Sequence, residues 1–160
     1  MSKYSDALAI AAPYCSTSEH CRFDILKKIS RYGLSDKEKK ELIDQLEKEG
    51  FFNEERFVKA FVNDCFHFNK WGRLKIRYKL KQKEIKYELI DEGLAVISEN
   101  DYRELLLAIL KQKRPFVKSN SQCALRGKML RFALTRGFEP HIVLSCLKEL
   151  DLDEDTEDFL

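Results

Sequence analysis

The chain has 160 residues, of which 44% are hydrophobic and 35% charged, and a formal net charge of +2. That suffices for one ordinary domain or an array of smaller units, and only 6 Gly and 3 Pro favour a mostly helical protein. No run approaches the roughly eighteen apolar residues of a membrane-spanning helix, so no membrane partner is expected.

The opening stretch, MSKYSDALAIAAPYC, holds a brief apolar run interrupted by Asp6 and Pro13, which is not the pattern of an export signal. It predicts a first helix over Tyr4–Ala12, ending near Pro13. A second apolar pair, Ile25 and Ile29, leads to Gly33 and Leu34. Ser35 then opens a run carrying Leu42, Ile43 and Leu46 and ending at Gly50. Asn53 caps Glu54–Phe66, where Phe57, Phe61 and Val62 recur at helical spacing. The aromatics of that region are therefore core first. Next comes Lys70–Lys83, KWGRLKIRYKLKQK, with seven basic residues and no acid. Its alternation suggests a strand, but no other segment alternates to pair with it, so a basic helix over 72–83 is predicted. On that helix Ile76 and Leu80 share the inner face, and Arg73, Arg77 and Lys81 form a stripe at i, i+4 spacing. Leu89, Ile90 and Leu94 follow. Ser98 or Asn100 then precedes Asp101–Lys111, with Leu105, Leu106, Ile109 and Leu110. Met129 and Ala133 lead to Gly137 and Phe138, and Ile142, Val143 and Leu147 form the last amphipathic run.

Sliding the sequence on itself exposes a repeat of about fifty residues. Ile25, Ile29, Gly33 and Leu34 align with Ile76, Leu80, Glu84 and Ile85, and again with Met129, Ala133, Gly137 and Phe138. The reading is all-α: a tandem array of three three-helix repeats, elongated and curved, over residues 3–50, 51–98 and 99–150. The acidic tail 151–160 is expected to be disordered. One such unit buries little apolar surface alone, so packing between neighbours should supply part of the stability.

Catalytic chemistry has little support. His20, His67 and His141 sit in no recognisable nucleophile–base motif, and there is no glycine-rich phosphate loop. The five cysteines, Cys15, Cys21, Cys65, Cys123 and Cys146, are odd in number and scattered without CxxC spacing. They read as free thiols in a reducing cytoplasm, with no metal and no cofactor. Charge carries the functional signal. Lys70–Lys86 contains one acid, Glu84, and Lys111–Arg136 contains none, whereas Asp151–Leu160 contains no base. Basic stretches without the acids that normally sit four residues away favour a binding role toward an anionic partner. Trp71, at the mouth of the basic helix, reads as packing first and as a partner anchor second.

Three stretches together resemble the RecX family, the regulators of the RecA recombinase. They are Gly50-Phe51-Phe52-Asn53-Glu54-Glu55-Arg56-Phe57 with Ala60-Phe61-Val62; Lys70-Trp71-Gly72-Arg73 with Ile76, Leu80, Lys83 and Ile85; and Arg136-Gly137-Phe138 with Ile142 and Leu147. The resemblance spans about residues 5–150. It departs from the family at Glu84, where a turn glycine is usual, and at Pro13. It implies a non-enzymatic protein of tandem three-helix repeats that lodges on the RecA–DNA filament and inhibits ATP hydrolysis and strand exchange; a cytoplasmic monomer is expected. Single- or double-stranded DNA is a further expected partner. The expected contact residues are Lys70, Trp71, Arg73, Lys75, Arg77, Lys79, Lys81, Arg126, Lys128, Arg131 and Arg136. The alternative is a DNA-binding helical module that acts through its basic face without RecA.

Overall fold

A computed structural model describes the backbone of residues 2–158 and the side chains of residues 2–150. Among the described residues there are nine α-helices and no strand. They are α1 (Lys3–Thr17), α2 (Arg22–Lys28), α3 (Asp36–Lys48), α4 (Glu54–His67), α5 (Arg73–Gln82), α6 (Tyr87–Ala95), α7 (Glu99–Lys113), α8 (Gln122–Thr135) and α9 (Pro140–Asp158). Short 3-10 turns follow α2 at Ser30–Tyr32 and α7 at Arg114–Phe116.

Local chemistry explains most of the boundaries. The Ser35 hydroxyl accepts from the Glu38 amide while the Glu38 carboxylate accepts from the Ser35 amide, a reciprocal box that starts α3. Asn53 Oδ1 accepts from the Arg56 amide at 3.0 Å at the start of α4. Of the two candidate caps for α7, Ser98 is the one used, accepting from the Asp101 amide. The three positions that align in the repeat, Gly33, Glu84 and Gly137, all adopt left-handed backbone, with φ of 64°, 58° and 94°. Glu84 therefore keeps the turn while carrying a side chain that makes it more costly.

Two boundaries differ from the sequence reading. α1 does not end near Pro13 but runs through it to Thr17. The ring removes one backbone bond, but the buried stripe Ala7, Ala11 and Cys15 continues across it and holds the helix to its neighbours. α9 carries helical backbone as far as Asp158, into the acidic stretch whose composition suggests disorder. After Pro140, which suits a first helical position, no Gly or Pro stops the helix. Phe159 and Leu160 lie outside the described residues.

The chain forms two compact units. Among the described residues, unit 1 comprises 2–63 and 79–93, and unit 2 comprises 64–78 and 94–158. In unit 1, Ala7, Ala11, Ile25, Ile29, Leu42 and Leu46 form a core closed by Phe52. Gly93 of α6 lies so close to α4 that a Cβ there would stand 2.4 Å from a Val58 methyl. In unit 2, Phe66, Tyr102 and Phe138 make a ladder of rings, with centroids 5.9 and 5.2 Å apart. Leu106, Leu110, Met129, Ala133 and Val143 are buried in the same unit.

Candidate functional site: the cations of the basic stretches

The seven cations of Lys70–Lys83 do not share one environment. In unit 2 the turn before α5 is zipped to the end of α8. The Gly72 amide donates to the Arg136 carbonyl at 2.7 Å, and the Leu74 amide donates to the Gly137 carbonyl at 2.9 Å. The crossing is glycine on glycine: a Cβ on Gly72 would lie 2.4 Å from the Gly137 carbonyl carbon and oxygen. Neither chain can carry a side chain there.

Arg73 enters this corner. Its guanidinium pairs with Glu139 at 3.0 Å and Glu99 at 2.6 Å, and it lies 3.8 Å from the centre of the Tyr102 ring. The Arg73 amide donates to the Tyr102 hydroxyl at 3.0 Å, and that hydroxyl donates to Glu139. Burial, then the hydrogen bond to Glu139, push the Tyr102 phenol well above its ordinary range, so it remains a donor. With 18% of its side chain exposed, Arg73 is committed to the fold rather than displayed at the head of an outward stripe. Its neutralising acids come from elsewhere in the chain, which a search of i+4 neighbours cannot see.

A second internal pair sits in unit 1. The Lys83 ammonium bonds Asp24 at 2.5 Å and faces the Phe57 ring. Burial pushes the Asp24 carboxyl up, but the Lys83 ammonium and the Cys21 amide more than offset it, leaving the group below the usual carboxylate range.

The remaining cations are outward or half-buried. In unit 2, Leu74 and Tyr78 are the exposed apolar residues of α5, at 49% and 59%. Lys75, half-buried, places its ammonium 4.5 Å from the Trp71 ring centre. Trp71 is half-buried, with its backbone amide held by the Cys65 carbonyl at 2.9 Å. Arg77 is half-buried. In unit 1, Lys79 is half-buried and Lys81 exposed. On α8, Arg126, Lys128 and Arg131 are exposed, but helical geometry sets Arg126 far round the axis from the other two. Lys128 donates to the Lys118 carbonyl.

Arg136 belongs to a different assembly, which the sequence reading did not single out. It lines a recess in unit 2 of about 340 Å³ with Lys70, Gln112, Lys113, Phe116 and Phe132. Arg136 and Lys113 stand 5.0 and 5.1 Å from the centre of the same Phe132 ring. The only sequence signal for this recess is the absence of acid between Lys111 and Arg136. Among the described residues, no helix is long and apolar enough to cross a membrane, and no three His, Cys, Asp or Glu side chains come together as a metal site.

Comparison with known proteins gives a consistent result. The family model described as RecX, second three-helix domain, matches residues 53–94. The chain is 29% identical over 147 residues to the Regulatory protein RecX of Herminiimonas arsenicoxydans, covering 92% of this chain and 94% of that one. It is 28% identical over 144 residues to its counterpart in Chlorobium phaeobacteroides, covering 90% and 93%. Against a Streptococcus agalactiae protein of the same name, 25% identity extends over 90% of this chain but only 55% of the relative, so the chain spans about half the length of that protein. The fold matches the crystal structure of RecX from Lactobacillus salivarius with a TM-score of 0.84 at 19% identity, covering 94% of this chain and 97% of that chain. A second structure, titled regulatory protein RecX, gives 0.83 at 17% identity, covering 91% and 73%. The chain is thus similar to the RecX family along most of its length, in sequence and in fold.

Proposed function

We propose that this protein regulates the RecA recombinase without catalysis of its own, by docking on the RecA–DNA filament and inhibiting its ATP hydrolysis and strand exchange. The observation that carries the reading is similarity over nine-tenths of the chain to curated relatives named regulatory protein RecX. The basic stretches add a physical reason: dense positive charge, with almost no acid within the stretches themselves, favours an anionic surface.

The proposed contacts in unit 2 are Lys70, Trp71, Lys75, Arg77, Arg126, Lys128, Arg131 and Arg136; Lys79 and Lys81 contribute from unit 1. Arg73 leaves the set, because its guanidinium is held by Glu99 and Glu139. The three-repeat division at residues 3–50, 51–98 and 99–150 belongs to the same proposal. Its support is the left-handed turn shared by Gly33, Glu84 and Gly137.

The test is ATP hydrolysis by RecA on single-stranded DNA, titrated with this protein. Hydrolysis should fall as the protein approaches stoichiometry with RecA. Reversing the exposed Lys81 and Arg131 to Glu should weaken that inhibition without unfolding the chain. Hydrolysis that stays unchanged at stoichiometric protein rejects the proposal.

A further inference from the structure

The recess around Phe132 has a chemistry that its fold role does not use. Three cations line it, Lys70, Lys113 and Arg136, and no acidic residue does. Two of them, Lys113 and Arg136, stand within about 5 Å of the centre of one aromatic ring, and the lining brings no carboxylate to offset them. Beside them Phe116 leaves 79% of its surface in water, the largest exposure of any exposed large hydrophobic residue described. Phe116 is also held in place: Pro115 fixes the 3-10 turn Arg114–Phe116, and the Val117 amide closes it onto the Arg114 carbonyl at 3.1 Å. The ring thus stands on a fixed turn of backbone and is uncovered.

Lys70 supplies an independent sign. Its backbone is left-handed, with φ of 57°, a conformation in which a residue with a side chain is strained and glycine is not. The neighbouring turn is anchored by an Arg136 hydrogen bond to the Asn69 carbonyl at 3.2 Å and by the Trp71 amide on the Cys65 carbonyl. Those bonds are made by the backbone and by Arg136, so glycine at 70 would satisfy them equally. What lysine adds there is a cationic side chain on a residue that lines the recess.

We propose that this recess binds a nucleoside phosphate: the base on Phe116 and Phe132, the phosphate among Lys70, Lys113 and Arg136, and Gln112 offering amide hydrogen bonds to the base edge. Its volume of about 340 Å³ falls in the roughly 300–1,000 Å³ range of small-ligand sites. Clustered cations beside an uncovered ring are the combination by which proteins take a phosphate and stack its base. An acidic peptide would need only the charge and would leave the rings without a partner. The inference goes beyond the regulator reading and stands independently of RecA. The nucleotide can come from two sources, free in solution or as one unit of a single strand.

Fluorescently labelled adenosine 5′-monophosphate, followed by anisotropy, tests this. Unlabelled adenosine 5′-monophosphate should compete, while inorganic phosphate and polyglutamate at equal concentration should compete far less. Phe116→Ala and Lys113→Gln should each weaken binding about tenfold, in line with the contribution of one stacked base. Lys70→Gly should weaken binding while raising the melting temperature, a pairing that a purely structural lysine does not give. A thymidylate single strand that competes better per nucleotide than the monophosphate identifies the strand as the source; the reverse identifies the free nucleotide. Wild-type affinity in both Phe116→Ala and Lys113→Gln overturns the proposal. Competition by phosphate or polyglutamate equal to that of the monophosphate also overturns it.

Discussion

Unit 2 contains two assemblies of cations over aromatic rings, and they are opposites. Around Tyr102, Arg73 meets two carboxylates and a phenol, and every charge has a partner. Around Phe132, Lys113 and Arg136 share a ring with no carboxylate in the lining. The first arrangement is what a fold uses to fix a helix start. The second costs stability unless an anion arrives, and so is better suited to binding. Positive charge in a sequence has both destinations, and the counter-charge brought by tertiary structure decides between them.

The sharpest way to break the comparison is Arg73→Glu. It removes the partner of Glu139 and adds a third carboxylate beside Tyr102, so a loss of about 2–4 kcal/mol in urea unfolding is expected for a pair this little exposed. Arg131→Glu, on an exposed part of α8, should change stability by less than about 0.5 kcal/mol. Next in size, Gly72→Ala drives a methyl into the Gly137 backbone and should cost on the order of 1–3 kcal/mol by the same measurement. Tyr102→Phe keeps the ring ladder but leaves the Arg73 amide without its acceptor and Glu139 Oε1 without its donor. About 1–2 kcal/mol should be lost, with little change in the near-ultraviolet aromatic signal.

Asp24 sharpens the contrast by pH. Its folded-state pKa is depressed, so its pairing with Lys83 adds stability above the unfolded carboxyl pKa, and that stability is lost as pH falls through the folded value. Asp24→Asn should therefore be destabilised by about 1–2 kcal/mol near neutral pH. Its unfolding curve should converge on that of the wild type as the pH drops below about 4. A gain rather than a loss is expected at Glu84→Gly, which relieves a left-handed residue and should add up to about 1 kcal/mol, read as a higher melting temperature.

The sequence made the helices legible because each carries its own stop or start within a few residues. Ser35, Asn53 and Ser98 act on amides three positions away, and the Gly33, Glu84 and Gly137 turns close local bonds. The helical nature of Lys70–Lys83 followed from the lack of any strand to pair with it. Pro13 misled because its cost is local, whereas the burial of Ala7, Ala11 and Cys15 that outweighs it is tertiary. Arg73 misled for the same reason. Its carboxylates lie 26 and 66 residues further along the chain, and the partner of Lys83 lies 59 residues back. Phe116 gave no signal of its own, since a Phe in a loop has no period to mark it as exposed. Lys113 and Arg136 were visible as charge, but their convergence on Phe132 was not.

The most direct measurement is urea unfolding of Arg73→Gln and Lys113→Gln side by side at neutral pH. Both substitutions delete one cation over one ring in the same unit. If counter-charge separates structural cations from binding ones, Arg73→Gln lowers the midpoint markedly and Lys113→Gln leaves it in place or raises it. Equal losses in the two variants would contradict that division.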